Sequence, residues 1–158
     1  MTPEPLAARG LTQTDVFALT LHHEAAGEGR RGMVAVGKVI LRRAALKFTG
    51  RTVREVCLAR GQYSCWAPTQ GKENHHKLVE HANRIRLGTP PAEIDLAYEV
   101  ARSLLEGGEV DETGRADHYY APGAMVPRGS VPYWAEGQTP TAEIGGHIFL
   151  KLRPESRA

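Results

Sequence analysis

An apolar stripe at helical spacing constrains this chain more than any other feature. Met33, Val36, Val39 and Ile40 recur at intervals of one to three residues inside 31–46, on one face of an α-helix. That face has to be buried. Ala35 and Gly37 are small and allow another backbone to approach closely. The flanking sequence supplies partners for such a helix. Thr12 and Asp15 form a capping-box pattern ahead of Val16, Leu19 and His23, with Phe17 and Leu21 alongside, and predict a helix over 13–25. Gly27 and Gly29 stop it, because glycine takes the left-handed conformation at little cost. Two more helices are expected, over 74–86 before Gly88, Pro90 and Pro91, and over 93–106 before Gly107 and Gly108. Residues 48–72 read as irregular with short helical turns, and 109–140, rich in Gly and Pro, as a long loop region of the kind that is either functional or disordered. Ala142-Glu143-Ile144 and His147-Ile148-Phe149-Leu150 flank Gly145-Gly146, a two-residue hairpin signal.

A chain of 158 residues suits one domain with a core of its own. We divide it into a lead-in over 1–10, a folded domain over 11–152 and a tail over 153–158. Its 20 basic and 18 acidic residues leave a net charge of +2, too little to argue for a nucleic-acid partner. The charge is nevertheless uneven: 38–60 hold seven Lys/Arg and one Glu, and 93–117 hold eight Asp/Glu and two Arg. This marks either two solvated faces or a basic flank that attracts an anionic polymer. No apolar run approaches a transmembrane helix, so no stable membrane insertion is expected. The start carries no basic segment followed by an apolar one, so the reading is a protein without a signal peptide, cytoplasmic on synthesis.

Chemistry concentrates in three places. The first is His22-His23-Glu24-Ala25-Ala26-Gly27-Glu28. A zinc-protease helix needs H-E-x-x-H, and Gly27 stands where the second histidine would be. His75, His76 and His81 add no ligand set at metal spacing, so neither a metal nor a cofactor is expected. Glu24 falls in the last turn of the first helix, where the negative end of the helix dipole disfavours a carboxylate. Burial raises its pKa further, giving the protonated state a general acid needs. Glu28 is a support that accepts backbone N–H bonds at the turn, or else a plain surface residue. The second and third places are aromatic. Gln62-Tyr63-Ser64-Cys65-Trp66 and His118-Tyr119-Tyr120, with Tyr133-Trp134 downstream, mix flat rings with amides and hydroxyls. Sugars are held by that mixture, rings on their apolar faces and polar groups on their rims; core filling is the competing reading. Cys57 and Cys65 are two buried small residues, a short-loop disulfide, or a thiol nucleophile with a histidine base.

Several motifs, in order, resemble the SleB/CwlJ-type cell-wall hydrolases, which include spore cortex-lytic enzymes and many phage or prophage endolysins. His23-Glu24-Ala25-Ala26-Gly27-Glu28 resembles that family's G-E-A-x-G-E. The run from Gly32 to Arg43 resembles its G-x-x-A-V-x-x-V-x-x-N-R helix. Gln62-Tyr63-Ser64-Cys65-Trp66 is similar to Q-F-S-x-W. His118-Tyr119-Tyr120-Ala121-Pro122 and Ile144-Gly145-Gly146-His147-Ile148-Phe149 resemble H-Y-Y-N-P and I-G-x-H-x-F. The chain departs from the pattern at His23 (commonly Gly), Ala26 (Arg), Arg42 (Asn) and Ala121 (Asn). The resemblance implies an α+β fold, a mostly helical lysozyme-like domain with a small β-hairpin or sheet. It implies cleavage of peptidoglycan glycan strands between N-acetylmuramic acid and N-acetylglucosamine, with Glu24 as catalytic acid/base. Gln62, Tyr63, Ser64, Trp66, His118, Tyr119 and Tyr120 would bind the sugars.

With no convincing second carboxylate, Glu24 would also take the proton of the muramic C6 hydroxyl, closing a 1,6-anhydro ring. That is a lytic transglycosylase; attack by water instead makes a muramidase. Two other readings remain open at this stage: a cysteine-dependent cell-wall amidase or peptidase, and a non-catalytic peptidoglycan-binding module. The expected partner is peptidoglycan, met by a monomer after release through a separate holin.

Overall fold

The computed structural model describes residues 3–154. Residues 1–2 of the expected lead-in and 155–158 of the expected tail lie outside the described residues. Five α-helices precede a small sheet: α1 (Gln13–Ala25), α2 (Gly29–Leu46), α3 (Val53–Leu58), α4 (Lys72–Arg86) and α5 (Asp95–Leu105). The strands are β1 (His118–Tyr120), β2 (Ala142–Ile144) and β3 (His147–Leu150).

Helix α1 starts where its capping box closes. The Asp15 N–H donates to Thr12 Oγ1 at 3.1 Å and the Thr12 N–H donates to Asp15 Oδ2 at 2.8 Å. Val16, Phe17, Ala18, Leu19, Thr20 and Leu21 are all fully buried. A helix apolar nearly all round belongs in the middle of a domain, and α1 packs against α2, α3, α4 and α5. The α2 stripe is buried as its spacing requires, with Val36, Val39 and Ile40 fully enclosed. At Gly37 the close neighbour is a side chain: a Cβ there would lie 2.3 Å from a Leu104 methyl of α5. Helix α2 begins two residues before the sequence expectation, at Gly29, whose φ of 71° makes the turn between helices.

The chain expected to be one long loop over 109–140 contains β1. Three residues are too few to display a period of two. The strand forms because β3 offers it a partner, with Tyr119 opposite Phe149. The β2–β3 hairpin turns at Gly145-Gly146, with Ile144 opposite His147, and the antiparallel order is β1-β3-β2. The sheet sits on α2, where Ala35 and Val39 meet Ala116, Ile144 and Phe149 in a second, smaller core. Tyr119 packs against both cores. The fold is therefore α+β, mostly helical with a small antiparallel sheet. Among the described residues no helix is long and apolar enough to cross a membrane.

Candidate active site

Glu24 stands in the last turn of α1, just before the 3₁₀ turn over Ala26–Glu28 that leads into α2. It lines a cavity of about 440 Å³ together with Arg43 of α2, Phe48 just beyond it, Gln62 and Tyr63 after α3, and His118 and Tyr119 of β1. Tyr133 and Trp134 close the rim. Among the described lining residues Glu24 is the one carboxylate. The Tyr119 hydroxyl donates to Glu24 Oε1 at 2.6 Å. Burial raises the Glu24 pKa, and the Tyr119 bond only partly offsets this. A raised pKa favours the protonated form, which has a proton to give away.

The surroundings hold this pair in place. The Tyr119 ring meets His147 edge-on at 5.0 Å and Phe149 at 5.7 Å. His147 is buried, with Nδ1 lacking a hydrogen-bond partner, and burial lowers its pKa, keeping the ring neutral. The Tyr63 hydroxyl is also buried without a partner, and burial raises its pKa. Arg43 is 7% exposed, yet its guanidinium is satisfied. Nε donates to the Asp117 carbonyl at 2.8 Å and Nη1 to Gln62 Oε1 at 2.9 Å. Asp117 is fully buried and accepts from His118 Nδ1, the Leu152 N–H and the Arg153 N–H.

Glu28 lies outside the cavity lining. Its Oε2 accepts the Gly146 N–H at 2.7 Å, tying the start of α2 to the hairpin turn. The fit is close: a Cβ on Gly145, where φ is 57°, would sit 1.8 Å from Glu28 Oε2, and one on Gly32 would sit 2.2 Å from the Glu28 Cβ.

Of the residues proposed from sequence to bind sugars, Gln62, Tyr63, His118 and Tyr119 meet around Glu24. Ser64, Trp66 and Tyr120 do not line this cavity. Ser64 is exposed in a 3₁₀ turn. Trp66 is buried in the core, where its Nε1 donates to Thr20 Oγ1 at 3.0 Å; an indole with its only donor used inside is held for packing. It borders a separate cavity of about 470 Å³, which shares Gly61 and Tyr63 with the first but contains no carboxylate. Tyr120 packs edge-on against Trp134, with centroids 6.0 Å apart. The sequence argument missed Arg43. It falls seven residues after Val36 on the buried stripe of α2, and an arginine at such a position must find buried acceptors.

The cysteines are free and buried. Burial pushes the Cys57 thiol up to about 12 and Cys65 well above its ordinary value. The expected disulfide alternative is therefore not formed, and neither thiol has the depressed pKa of a nucleophile. The histidine reading also needs correction. Spacing suggested no ligand set, but folding brings His22, His23 and His81 together, with one nitrogen of each within 4.8 Å of the others.

Comparison with known proteins agrees with this architecture. The catalytic domain of the Bacillus cereus SleB protein is similar over 90% of this chain and 94% of its own, at 27% identity and a TM-score of 0.62. The catalytic domain of the germination-specific lytic transglycosylase SleB from Bacillus anthracis shares the fold over 90% of this chain and 98% of its own, at 24% identity and a TM-score of 0.58. No curated protein is significantly similar in sequence. The sequence profile of the cell wall hydrolases matches residues 27–150, a span that begins three residues after Glu24 and includes every other residue lining the cavity. The chain belongs to the cell wall hydrolase family.

Proposed function

We propose that this protein cleaves the glycan strand of peptidoglycan between N-acetylmuramic acid and N-acetylglucosamine, with Glu24 as its proton donor. The observation that carries this reading is a single half-buried carboxyl group in a polar, aromatic-rimmed cavity, with one oxygen already held by Tyr119. Oε1 accepts the Tyr119 hydroxyl, so the acid proton resides on Oε2. From there it passes to the glycosidic oxygen as the bond to muramic C1 breaks. The muramic ring carries the positive charge as an oxocarbenium-like species. Glu24, now ionised, removes the proton of the muramic C6 hydroxyl while that oxygen bonds to C1. The products are a 1,6-anhydromuramic end and a free 4-hydroxyl on the departing sugar, and Glu24 is protonated again.

The single acid favours this route over hydrolysis. Glycosidases that use water place two carboxyl groups about 5–9.5 Å apart, and the described lining of this cavity offers one. Asp117 has its oxygens occupied by three donors, and Glu28 is occupied at the hairpin. Sugar binding falls to groups whose geometry suits it. Gln62 gives its oxygen to Arg43 and keeps its amide N–H donors for a ligand. The buried Tyr63 hydroxyl lacks a protein partner. Tyr133, 85% exposed at the rim, presents a ring to a sugar face. The neighbouring 470 Å³ cavity, bordered by the same Gly61 and Tyr63, suits the continuation of a polymer.

Mass spectrometry of the soluble fragments released from purified peptidoglycan tests the product. Anhydromuramic ends are expected. Reducing muramic ends would make the enzyme a muramidase, and cut peptides on intact glycans would overturn the assignment.

A further inference from the structure

We propose that His22, His23 and His81 form a binding site for a divalent transition-metal ion of the zinc type, joining the last turn of α1 to α4. The site lies outside the substrate cavity and shares no residue with its lining. His23 stands at a position where the family pattern commonly has Gly, so the site belongs to this chain's own sequence.

The lone pairs of the three rings converge. His23 Nδ1 donates to Asn74 Oδ1 at 2.8 Å, which leaves Nε2 as the unprotonated nitrogen of a neutral ring. His81 Nε2 donates to Glu93 Oε1 at 2.9 Å, and a carboxylate only accepts, which leaves Nδ1 unprotonated. These two acceptor nitrogens face each other at 3.1 Å. Two lone pairs at that distance repel unless a cation sits between or beside them. Zinc–imidazole bonds of about 2.0–2.1 Å put two nitrogens of a tetrahedral site about 3.3 Å apart, close to the separation here.

His22 supplies the third side of the site. Its ring lies 5.0 Å from that of His23 and 5.3 Å from that of His81, centroid to centroid. Its Nδ1 is buried with no hydrogen-bond partner. The outer contacts are those that metal-bound histidines use: a carboxylate behind His81 and an amide oxygen behind His23, each fixing ring orientation and tautomer. On its outer side, His81 and Glu93 together border a surface cavity of about 400 Å³. Three neutral imidazoles with one position left for water suit zinc, and cobalt as its spectroscopic stand-in.

The test uses the untagged full chain, freed of metal by a chelator and dialysed. It is titrated with Co²⁺ while the visible absorption of tetrahedral cobalt is followed, then challenged with Zn²⁺. The expected result is one equivalent of Co²⁺, displaced by Zn²⁺, with the absorption lost in His81→Ala. Glu93→Gln alters only an exposed side chain and should fold normally. It should bind about 10–100-fold more weakly, and it decides the matter if His81→Ala does not fold. The proposal is overturned if wild type gives neither cobalt absorption nor calorimetric Zn²⁺ binding, which would leave a shared proton between His23 and His81. It is equally overturned if a folded His81→Ala or Glu93→Gln binds as tightly as wild type.

Discussion

The Tyr119 hydroxyl and Glu24 Oε1 are joined by a 2.6 Å hydrogen bond across 95 residues of sequence, the first from a strand and the second from a helix end. Removing the donor while keeping the ring isolates its role. Tyr119→Phe should retain the packing on His147 and Phe149 and so remain folded. It should lower the rate of glycan cleavage about tenfold, the equivalent of ~1.4 kcal/mol for one hydrogen bond at the reacting group. Initial rates of peptidoglycan solubilisation, beside a thermal melt, check both halves of this expectation.

Arg43 organises two residues of the same cavity through the Asp117 carbonyl and Gln62 Oε1. Arg43→Met fills much of the volume but leaves two acceptors unpaired, one of them buried. A loss of about 1–3 kcal/mol in folding free energy should follow, together with weaker substrate binding as Gln62 loses its anchor. Arg43→Lys should recover little, since one ammonium does not reproduce the guanidinium fork. Denaturant midpoints for the two variants, and their KM values, measure these effects.

Gly32 lets Glu28 reach the hairpin. A Cβ at Gly32 would lie 2.2 Å from the Glu28 Cβ, so Gly32→Ala must displace Glu28 or the start of α2. Overpacking of this kind costs about 1–3 kcal/mol. Glu28→Gln should cost less, because an amide oxygen still accepts the Gly146 N–H. The order of melting temperatures, wild type above Glu28→Gln above Gly32→Ala, is the expected outcome.

Asp117 makes stability depend on acid. Burial pushes its pKa up, but hydrogen bonds from His118, Leu152 and Arg153 outweigh this and hold it below the ordinary 3.8. A carboxylate whose folded pKa is depressed stabilises the protein above its unfolded pKa, and that stabilisation is lost as pH falls through the folded value. Asp117→Asn should therefore be less stable than wild type at neutral pH, with the gap narrowing below about pH 4. Denaturation measured from about pH 6 to about pH 3 reads the gap; a constant gap would contradict the account.

Much of this fold was legible in the sequence because it rests on local rules. The Thr12–Asp15 box, the 33–40 stripe and the Gly145-Gly146 turn are each decided by residues a few positions apart. Strand β1 was not legible, since His118–Tyr120 becomes a strand only by pairing with β3. The same division runs through the site. Glu24 and Glu28 stood out within one short motif, and Gln62, Tyr63, His118 and Tyr119 through their side-chain types. Trp66 has the same chemistry as a sugar-binding ring, but Thr20, 46 residues away, accepts its N–H in the core. His81 gained its meaning from His23, 58 residues away. Contacts of that range leave no trace in local spacing.

Glu24→Gln compared with wild type on purified peptidoglycan decides whether Glu24 is the proton donor. The amide keeps the shape and the Tyr119 contact but has no acidic proton to give, and a general acid contributes about 10²–10⁴-fold. Mass spectrometry of the soluble fraction should find anhydromuramic ends from wild type and almost none from the variant, while a sedimentation assay finds the folded variant still bound to the wall. Anhydromuramic ends released by Glu24→Gln at close to the wild-type rate would contradict the account.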